Sequence, residues 1–273
     1  MSTRLCFAYQ MEIRYSAPIR GNCYTLRVSP RSCAVQQVTT LTTRLEPGEC
    51  WWQGTDPFGN VLLCGFDDSP LTRFRFRETG TVTTGLADSM PAERYEELVK
   101  FRYGSELTAP GPQLKKFYAD RLAPCLAGKS PLVQGRIIMH EVHEAIAYTK
   151  GRTGMDTTAE EAMALGAGVC QDESHVMIAL CRLGGITARY VTGFLIGEGE
   201  SHAWVEVLDD GRWFGLDPTN DIAAADKHIR IAVGRDARDC PMNRGIYYGA
   251  AAQEIHVSVK VWEQGKPAPG TNG

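Results

Sequence analysis

The spacing of polar and apolar residues changes at Pro110, Gly111 and Pro112, and this change divides the chain into two parts. Before it, short runs mix β-branched and aromatic residues with polar ones, and clusters such as "EPGE" and "TDPFGN" separate them. Phenylalanine and arginine alternate over residues 72–77, which is typical of a strand with one face in water. Residues 1–105 are therefore predicted to form an antiparallel β-sandwich domain.

The second part begins with helical patterns and ends with strands. "LVQGRIIMHEVHEAIAYTK" and "TTAEEAMALG" have the apolar spacing of helices, and Thr157 with Glu160 fits a capping box. The later segments "ARYVTGFLI", "HAWVEVL", "HIRIAV" and "EIHVSVKVW" favour strands. This order predicts an α+β domain over residues 106–265. The composition of "GKPAPGTNG" predicts a disordered tail over residues 266–273.

Charge, hydropathy and cysteine content indicate which partners and which cellular location to expect. The net charge of −3 over 273 residues gives no electrostatic reason to expect nucleic acid or an anionic membrane as a partner. No apolar run reaches the roughly 18 residues that cross a bilayer, and no signal peptide is visible. The nine cysteines include no C-x-x-C pair, which argues against a disulfide framework and a zinc ribbon. We therefore expect a cytoplasmic protein.

One cysteine stands apart from the others because of its position in "GAGVCQDESHVMIALCRLGG". Cys170 follows a glycine-rich turn, which Gly166 and Gly168 permit, and begins a predicted helix. The positive end of a helix stabilises a thiolate, and its free N–H groups can hold an oxyanion. Asp172 and Glu173 lie in the same first turn and oppose a thiolate. A cationic partner is therefore needed.

The candidate partner is a histidine in "SHAWVEVLDDGRWFGLDPTN". This segment is predicted to be a β-hairpin that turns at Asp210-Gly211. A two-residue turn places Trp204 opposite Asp217, with His202 diagonal to Asp217 on the same face. Diagonal neighbours lie about 7–8 Å apart at the backbone, within reach of an imidazole and a carboxylate. A turn of odd length would move Asp217 to the other face.

These residues suit a nucleophile, a base and an orienting carboxylate, in the order Cys170, His202 and Asp217. Trp204 is a candidate for contacting the substrate or shielding the pair from water. Each residue also has a plainer interpretation. A lone cysteine is more often a buried structural thiol, and Asp217 before Pro218 could equally form a turn.

The remaining candidates favour structural roles. A zincin needs two histidines four residues apart in H-E-x-x-H, whereas His140 and His143 are three apart, so they are expected on a solvated helix face. His175 is expected to satisfy local polar groups, and Cys181 is expected in the core. We therefore expect neither a metal nor a cofactor.

Several segments together resemble one protein family. "GVCQDESHVMIALCRLGGITARYVTGF", "SHAWVEV", "WFGLDPTN" and "VGRDARDCPMNRGIYYG" resemble the bacterial transglutaminase-like family, whose members are often described as cysteine proteases. "IRYSAPI", "LRVSPR" and "TDPFGN" resemble its N-terminal β domain. The resemblance implies a papain-like core with Cys170, His202 and Asp217 as the catalytic triad. This chain has Glu173 where the family often has an aromatic residue after "CQD". Nothing in it resembles a calcium loop.

The leading hypothesis is a thiol enzyme that attacks an amide carbonyl and forms a thioester. Water as the second substrate would make it a peptidase or amidase, and an amine would make it a transglutaminase-like acyltransferase. A peptide or protein amide is the expected substrate. Two alternatives remain open. One is a non-enzymatic partner-binding module with a relict triad, and the other is arylamine acyl transfer from a thioester donor, which would require a cofactor pocket.

Overall fold

The structure is a computed structural model that describes residues 2–92 and 98–270. Its N-terminal region is built from strands, as the alternating pattern predicts. They are β1 (Thr3–Leu26), β2 (Gln36–Glu46), β3 (Trp52–Thr55), β4 (Val61–Asp67), β5 (Leu71–Thr84) and β6 (Met90–Pro91). All pairings among β1 to β5 are antiparallel.

Strand β1 organises this region. It pairs with β5 along its first half and with β4 over Asn22–Leu26, with a register shift between Arg14 and Ile19. Successive side chains of a strand point to opposite faces, so every second residue can enter the core. The buried members of its first half are Leu5, Phe7, Tyr9, Met11, Ile13 and Tyr15.

The second part of the chain begins with helices. They are α1 (Pro112–Phe117), α2 (Ala123–Leu126), α3 (Pro131–Ala145), α4 (Ala159–Leu165) and α5 (Cys170–Leu183). The capping box at α4 is displaced by one residue from the prediction. Thr158 Oγ1 accepts from the Glu161 N–H at 3.2 Å, and Glu161 accepts from the Thr158 N–H at 2.8 Å. The expected Glu160 instead accepts from the Gln113 N–H at the start of α1, at 2.6 Å. None of the helices in the described ranges is long and apolar enough to cross a membrane.

The strands of this part lie between the helices and after them in the chain. They are β7 (Ala147–Tyr148), β8 (Ala167–Gly168), β9 (Ala188–Leu195), β10 (Gly197–Gly199), β11 (His202–Asp209), β12 (Arg212–Asp217), β13 (Ile222–Ala223), β14 (His228–Gly234), β15 (Asn243–Tyr248) and β16 (Gln253–Glu263). One antiparallel sheet has the order β13-β12-β11-β9-β14. Helices α3 and α5 pack against it, and α5 is buried from Asp172 to Cys181. The predicted α+β class is confirmed.

The last strands return to the N-terminal sheet. β16 pairs with β1 from Leu5↔Glu263 to Tyr15↔Gln253, β15 pairs with β1, and β10 pairs with β16. One cluster of buried apolar side chains continues through both parts of the chain. The predicted domain boundary at residue 105 stays a prediction. The sheet nevertheless includes strands from both sides of that boundary.

The segment predicted to be a tail is partly described. Its residues 266–270 are described, and the Pro269 carbonyl accepts a hydrogen bond from Lys260 Nζ at 3.1 Å. Residues 271–273 lie outside the described part of the chain. The disorder of the tail stays a prediction.

Two amide side chains of the N-terminal region bind the backbone of β14. Asn60, at the end of "TDPFGN", donates to the Val233 carbonyl at 2.8 Å and accepts from the Val233 N–H at 2.7 Å. Gln36 binds Arg230 in the same manner, with both distances 2.8 Å. Both amides are buried. The amides therefore fix β14 against the N-terminal sheet.

Candidate active site

Cys170 is the first residue of α5, as the glycine-rich segment predicts. The chain leaves α4 through Gly166, whose φ of 59° lies in the left-handed region that glycine adopts without strain. Residues 167 and 168 then pair with β7 in a short parallel ladder. This ladder sets the entry of the chain into α5. The Cys170 thiol is half-buried and lines a cleft.

The acidic residues of the first turn are buried rather than exposed beside the thiol. Asp172 Oδ2 accepts from the Val169 N–H at 2.8 Å and from Thr153 Oγ1 at 2.6 Å. Glu173 accepts a short hydrogen bond from Thr219 Oγ1. Burial raises the pKa of both carboxyls. Each acid therefore has a local hydrogen-bonding role in the loops around the helix start.

The hairpin has the predicted register. Asp210 and Gly211 have φ of 43° and 67°, as a type I′ turn requires, and Asp209 pairs with Arg212. The structure contains the predicted contact between His202 and Asp217, because His202 Nε2 lies 2.8 Å from Asp217 Oδ2. Strand alternation and a two-residue turn were sufficient to predict this contact.

The imidazole lies between a carboxylate and a thiol. Burial lowers the pKa of His202, but hydrogen bonds with Asp217 and Cys170 outweigh burial and raise it to about 10. Because Nε2 faces Asp217, the ring nitrogen left for Cys170 is Nδ1. Burial alone raises the pKa of Asp217, but hydrogen bonds from His202 and His228 outweigh it and hold it well below its usual range. The arrangement favours an imidazolium beside the thiol.

Asp217 is held on both oxygens. It is fully buried, and its Oδ1 accepts from the N–H groups of Thr219 at 3.0 Å and Asn220 at 3.3 Å. Its Oδ2 accepts from Asn220 Nδ2 at 2.8 Å, in addition to the histidines. The turn-forming interpretation of this residue is therefore also correct, because the same carboxylate closes the turn that follows β12.

Two aromatic rings pack around the His202–Asp217 pair. Trp204 is 2% exposed and stacks on His202 at 6.2 Å between ring centroids. His228, at the start of β14, contacts Trp204 edge-on at 5.2 Å and places Nε2 3.0 Å from Asp217 Oδ2. Within the described chain, the lining of the cleft does not include Trp204. Its position suits shielding rather than substrate contact.

The cleft has a volume of about 490 Å³ and is open to solvent. Cys170 and His202 line it, together with Tyr148, Lys150 and residues 195–201. Burial, followed by the negative charges of Cys170 and Glu173, raises the pKa of the Tyr148 hydroxyl. The Cys170 thiol therefore lines a cleft that solvent can enter.

The histidines of α3 contact the loop after Asp217. His140 Nδ1 lies 2.8 Å from Asp221 Oδ2, and His143 Nδ1 lies 3.1 Å from the Pro218 carbonyl. His140 is exposed as expected, but both histidines connect α3 to this loop, which the sequence pattern did not indicate. His175 is fully buried and accepts from the Ala237 N–H at 3.1 Å, which matches its predicted local role.

Within the described residues, one group has donor types that suit a metal ion, namely His202, Asp217 and His228. Their donor atoms lie within 4.8 Å of one another. The same atoms are already joined by hydrogen bonds, and the raised pKa of His202 favours a proton on Nε2. A metal would have to displace that proton. The geometry therefore fits a hydrogen-bonded group better than a metal centre.

Comparison with known proteins agrees with the fold. Residues 121–218 match the Transglutaminase-like superfamily, and residues 6–83 match the Bacterial transglutaminase-like N-terminal region. The crystal structure of a "Putative Cysteine Protease from Cytophaga hutchinsonii" has a TM-score of 0.75 at 20% identity, covering 98% of this chain and 92% of that chain. At this identity the likeness shows the fold.

Sequence relatives occur in mycobacteria. An uncharacterized protein of Mycobacterium leprae is 26% identical over an alignment of 274 positions, gaps included. The alignment covers 90% of this chain and 94% of that protein. An uncharacterized protein of Mycobacterium tuberculosis is 34% identical over 168 residues, which cover 55% of this chain and 54% of that protein.

A cysteine at a helix start, a buried histidine beside it and a papain-like core define the class of a thiol-dependent enzyme. The chain has both a transglutaminase-like core and a bacterial transglutaminase-like N-terminal region, and it belongs to the bacterial transglutaminase-like family.

Proposed function

We propose that the protein is a cysteine acyl-transfer enzyme that attacks the amide carbonyl of a peptide or protein through Cys170, His202 and Asp217. The observation that carries this proposal is the alignment at the cleft. Asp217 binds Nε2 of His202, and Cys170 lines the same cleft as His202 and raises the pKa of that histidine. A nucleophile, a base and an orienting carboxylate in this order form the machinery of acyl transfer.

The reaction begins with the thiolate of Cys170 and the imidazolium of His202. The sulfur attacks the carbonyl carbon, and the carbonyl oxygen becomes an oxyanion. The first N–H groups of α5 have no acceptors within the helix, so they suit this oxyanion. When the intermediate collapses, the C–N bond breaks and His202 gives its Nδ1 proton to the departing amine. A thioester on Cys170 and a neutral imidazole remain.

The second half of the reaction returns the enzyme to its starting state. His202 Nδ1 removes a proton from water or from an amine, and the resulting nucleophile attacks the thioester. The C–S bond breaks, and the thiolate and imidazolium form again. Water gives a carboxylic acid and an amine gives a new amide. The triad serves both reactions, so the choice between hydrolysis and transfer depends on which nucleophile enters the cleft.

The proposal is tested by trapping the thioester. A small activated acyl ester, such as p-nitrophenyl acetate, should add one acetyl group to the wild-type protein at Cys170, as shown by intact mass and peptide mapping. Cys170→Ala should not be acylated there, and Cys181→Ala is the matched control that should behave like the wild type. Added glycinamide should accelerate deacylation if the enzyme transfers to amines. Absence of any adduct at Cys170 would favour the partner-binding module.

We further propose a cytoplasmic location, on the basis of the cysteines. Nine thiols are an odd number, and those in the described ranges are free. Free thiols persist in reducing compartments. Fractionation of cells with an antibody against the protein tests this, and recovery from an oxidising compartment would contradict it.

A further inference from the structure

His228 is a buried histidine at the candidate site that the sequence pattern did not single out. Its Nε2 lies 3.0 Å from Asp217 Oδ2, the same oxygen that His202 contacts at 2.8 Å. We infer that His228 is a positioning residue of the site, which holds the Asp217 carboxylate in the orientation that His202 requires. This inference rests on the proposed acyl-transfer function.

The fold gives His228 a fixed position. It begins β14 as His202 begins β11, and β9 lies between these strands, pairing His228 with Leu195 and His202 with Gly193. The His228 N–H donates to the Ala225 carbonyl at 3.2 Å, and its ring packs edge-on against Trp204. The ring therefore has contacts that set its direction, and Nε2 points at the carboxylate.

The other ring nitrogen indicates how His228 takes part. Its Nδ1 is buried and has no hydrogen-bond partner in the described structure. A proton on Nδ1 would be a buried donor without an acceptor, and it would add a second positive charge 5.9 Å from the ring of His202. A single proton on Nε2 avoids both costs. His228 thus donates to Asp217, while the positive charge stays on His202 beside Cys170.

The arrangement also explains why one oxygen accepts from both rings. The backbone N–H groups of Thr219 and Asn220 hold Oδ1, and Oδ2 is the oxygen that faces His202. His228 on the far strand and Asn220 Nδ2 at 2.8 Å are further donors to Oδ2, and they restrict rotation of the carboxylate further. His202 then meets Asp217 in one orientation, with Nδ1 directed to the thiol. His228 acts on the reaction through Asp217 and His202 and does not touch the reacting atoms.

The test compares His228→Leu, which removes the donor, with His228→Gln, which can place an amide N–H near the position of Nε2. Ile231→Val, a buried change on the same strand, is the matched control. The readouts are the acylation rate with p-nitrophenyl acetate and the rate of Cys170 alkylation by iodoacetamide against pH. His228→Leu should slow both by roughly 10- to 100-fold, the worth of a hydrogen bond to a charged group. His228→Gln should restore them to within about threefold.

The outcomes separate this inference from the proposed function. Alkylation needs no substrate, so it tests His228 even if the wild type forms no thioester. If His228→Leu and His228→Gln slow the two rates by the same factor, or if neither variant slows them, His228 is not a positioning donor. One equivalent of metal in the wild type that His228→Leu abolishes, measured by mass spectrometry of the elements, would also overturn the inference.

Discussion

At the scale of single residues, the charges around Cys170 oppose one another. Asp172 and Glu173 oppose a thiolate, and the positive charge of His202 supports it. The structure buries both carboxyls and raises their pKa, whereas Asp217 and Cys170 raise that of His202. The charge balance around Cys170 therefore depends on His202, and replacing His202 should test whether the thiolate needs its positive charge.

Replacing His202 should make Cys170 behave like an ordinary thiol. His202→Ala should slow alkylation of Cys170 at pH 6 by roughly 10- to 100-fold, because the positive charge that supports the thiolate is then absent. Asp217→Asn should slow it less, since the imidazole remains. The exposed thiols Cys23 and Cys125 are internal controls and should keep their rates. An unchanged pH profile at Cys170 would rule out the ion pair.

A second histidine should make stability depend on pH. Burial lowers the pKa of His175 to about 4, whereas the unfolded chain has the usual value near 6.5. The unfolded state therefore binds the proton first as the pH falls. The stability that neutral His175 provides is fully present above pH 6.5 and is lost between pH 6.5 and 4, with a total of about 3 kcal/mol.

His175→Gln should flatten this dependence, because Gln keeps an acceptor for the Ala237 N–H and does not titrate. The measurement is the free energy of unfolding in urea at pH 4.5 and 7.5, and the exposed His256→Gln is the control. The difference between the two pH values should be smaller in His175→Gln than in the wild type. An equal difference would mean that the pKa of His175 is the same in the folded and the unfolded state.

The contact of His202 with Asp217 could be predicted from the sequence, and that of His228 could not, for one physical reason. A two-residue turn fixes the register of the strands that it joins, so the hairpin specifies its own cross-strand neighbours. His228 reaches Asp217 through the pairing of β14 with β9. Alternation in "HIRIAV" shows which residues share a face of that strand, but it does not show its partner.

At the scale of elements, the start of α5 depends on close packing around one glycine. A Cβ on Gly168 would lie 2.6 Å from the Cβ of Asp172. Gly168→Ala should therefore displace Asp172 from the Val169 N–H and Thr153, and lower the free energy of unfolding by about 1–3 kcal/mol. Cys170 should also be alkylated more slowly at pH 6, because the helix start moves.

The matched control for this element is Gly154→Ala. A methyl group at Gly154 would have no atom within 4 Å outside its own chain neighbours, and the φ of this glycine is not in the left-handed region. This substitution should change the free energy of unfolding by less than about 0.5 kcal/mol. If both alanine variants have the stability of the wild type in urea, the helix start tolerates a side chain at residue 168.

At the scale of the whole molecule, the strand patterns predicted the strands and helices of each part. They did not predict the closure of the N-terminal sheet, which is the pairing of β16 with β1. The N-terminal strands and the α+β part follow from spacing and from the order of elements. The return of β16 to β1, and the stacking of Phe194 on Tyr9 at 5.6 Å, join parts that are distant in sequence. Strand alternation carries no information about such distant partners, so the predicted boundary at residue 105 did not anticipate this closure.

This closure predicts that the two parts unfold together. Asn60→Ala removes both hydrogen bonds to Val233 and leaves a buried N–H and a buried carbonyl, which should cost about 2–3 kcal/mol. Because β14 belongs to the α+β part and Asn60 to the N-terminal part, both parts should lose stability in Asn60→Ala. Pulsed hydrogen exchange in rising urea should give one midpoint for peptides from β1 and α5, and Asn60→Ala should lower both equally. The exposed Gln10→Ala is the control and should leave both unchanged. Separate midpoints, of which Asn60→Ala lowers only one, would support two independently folding domains divided near residue 105.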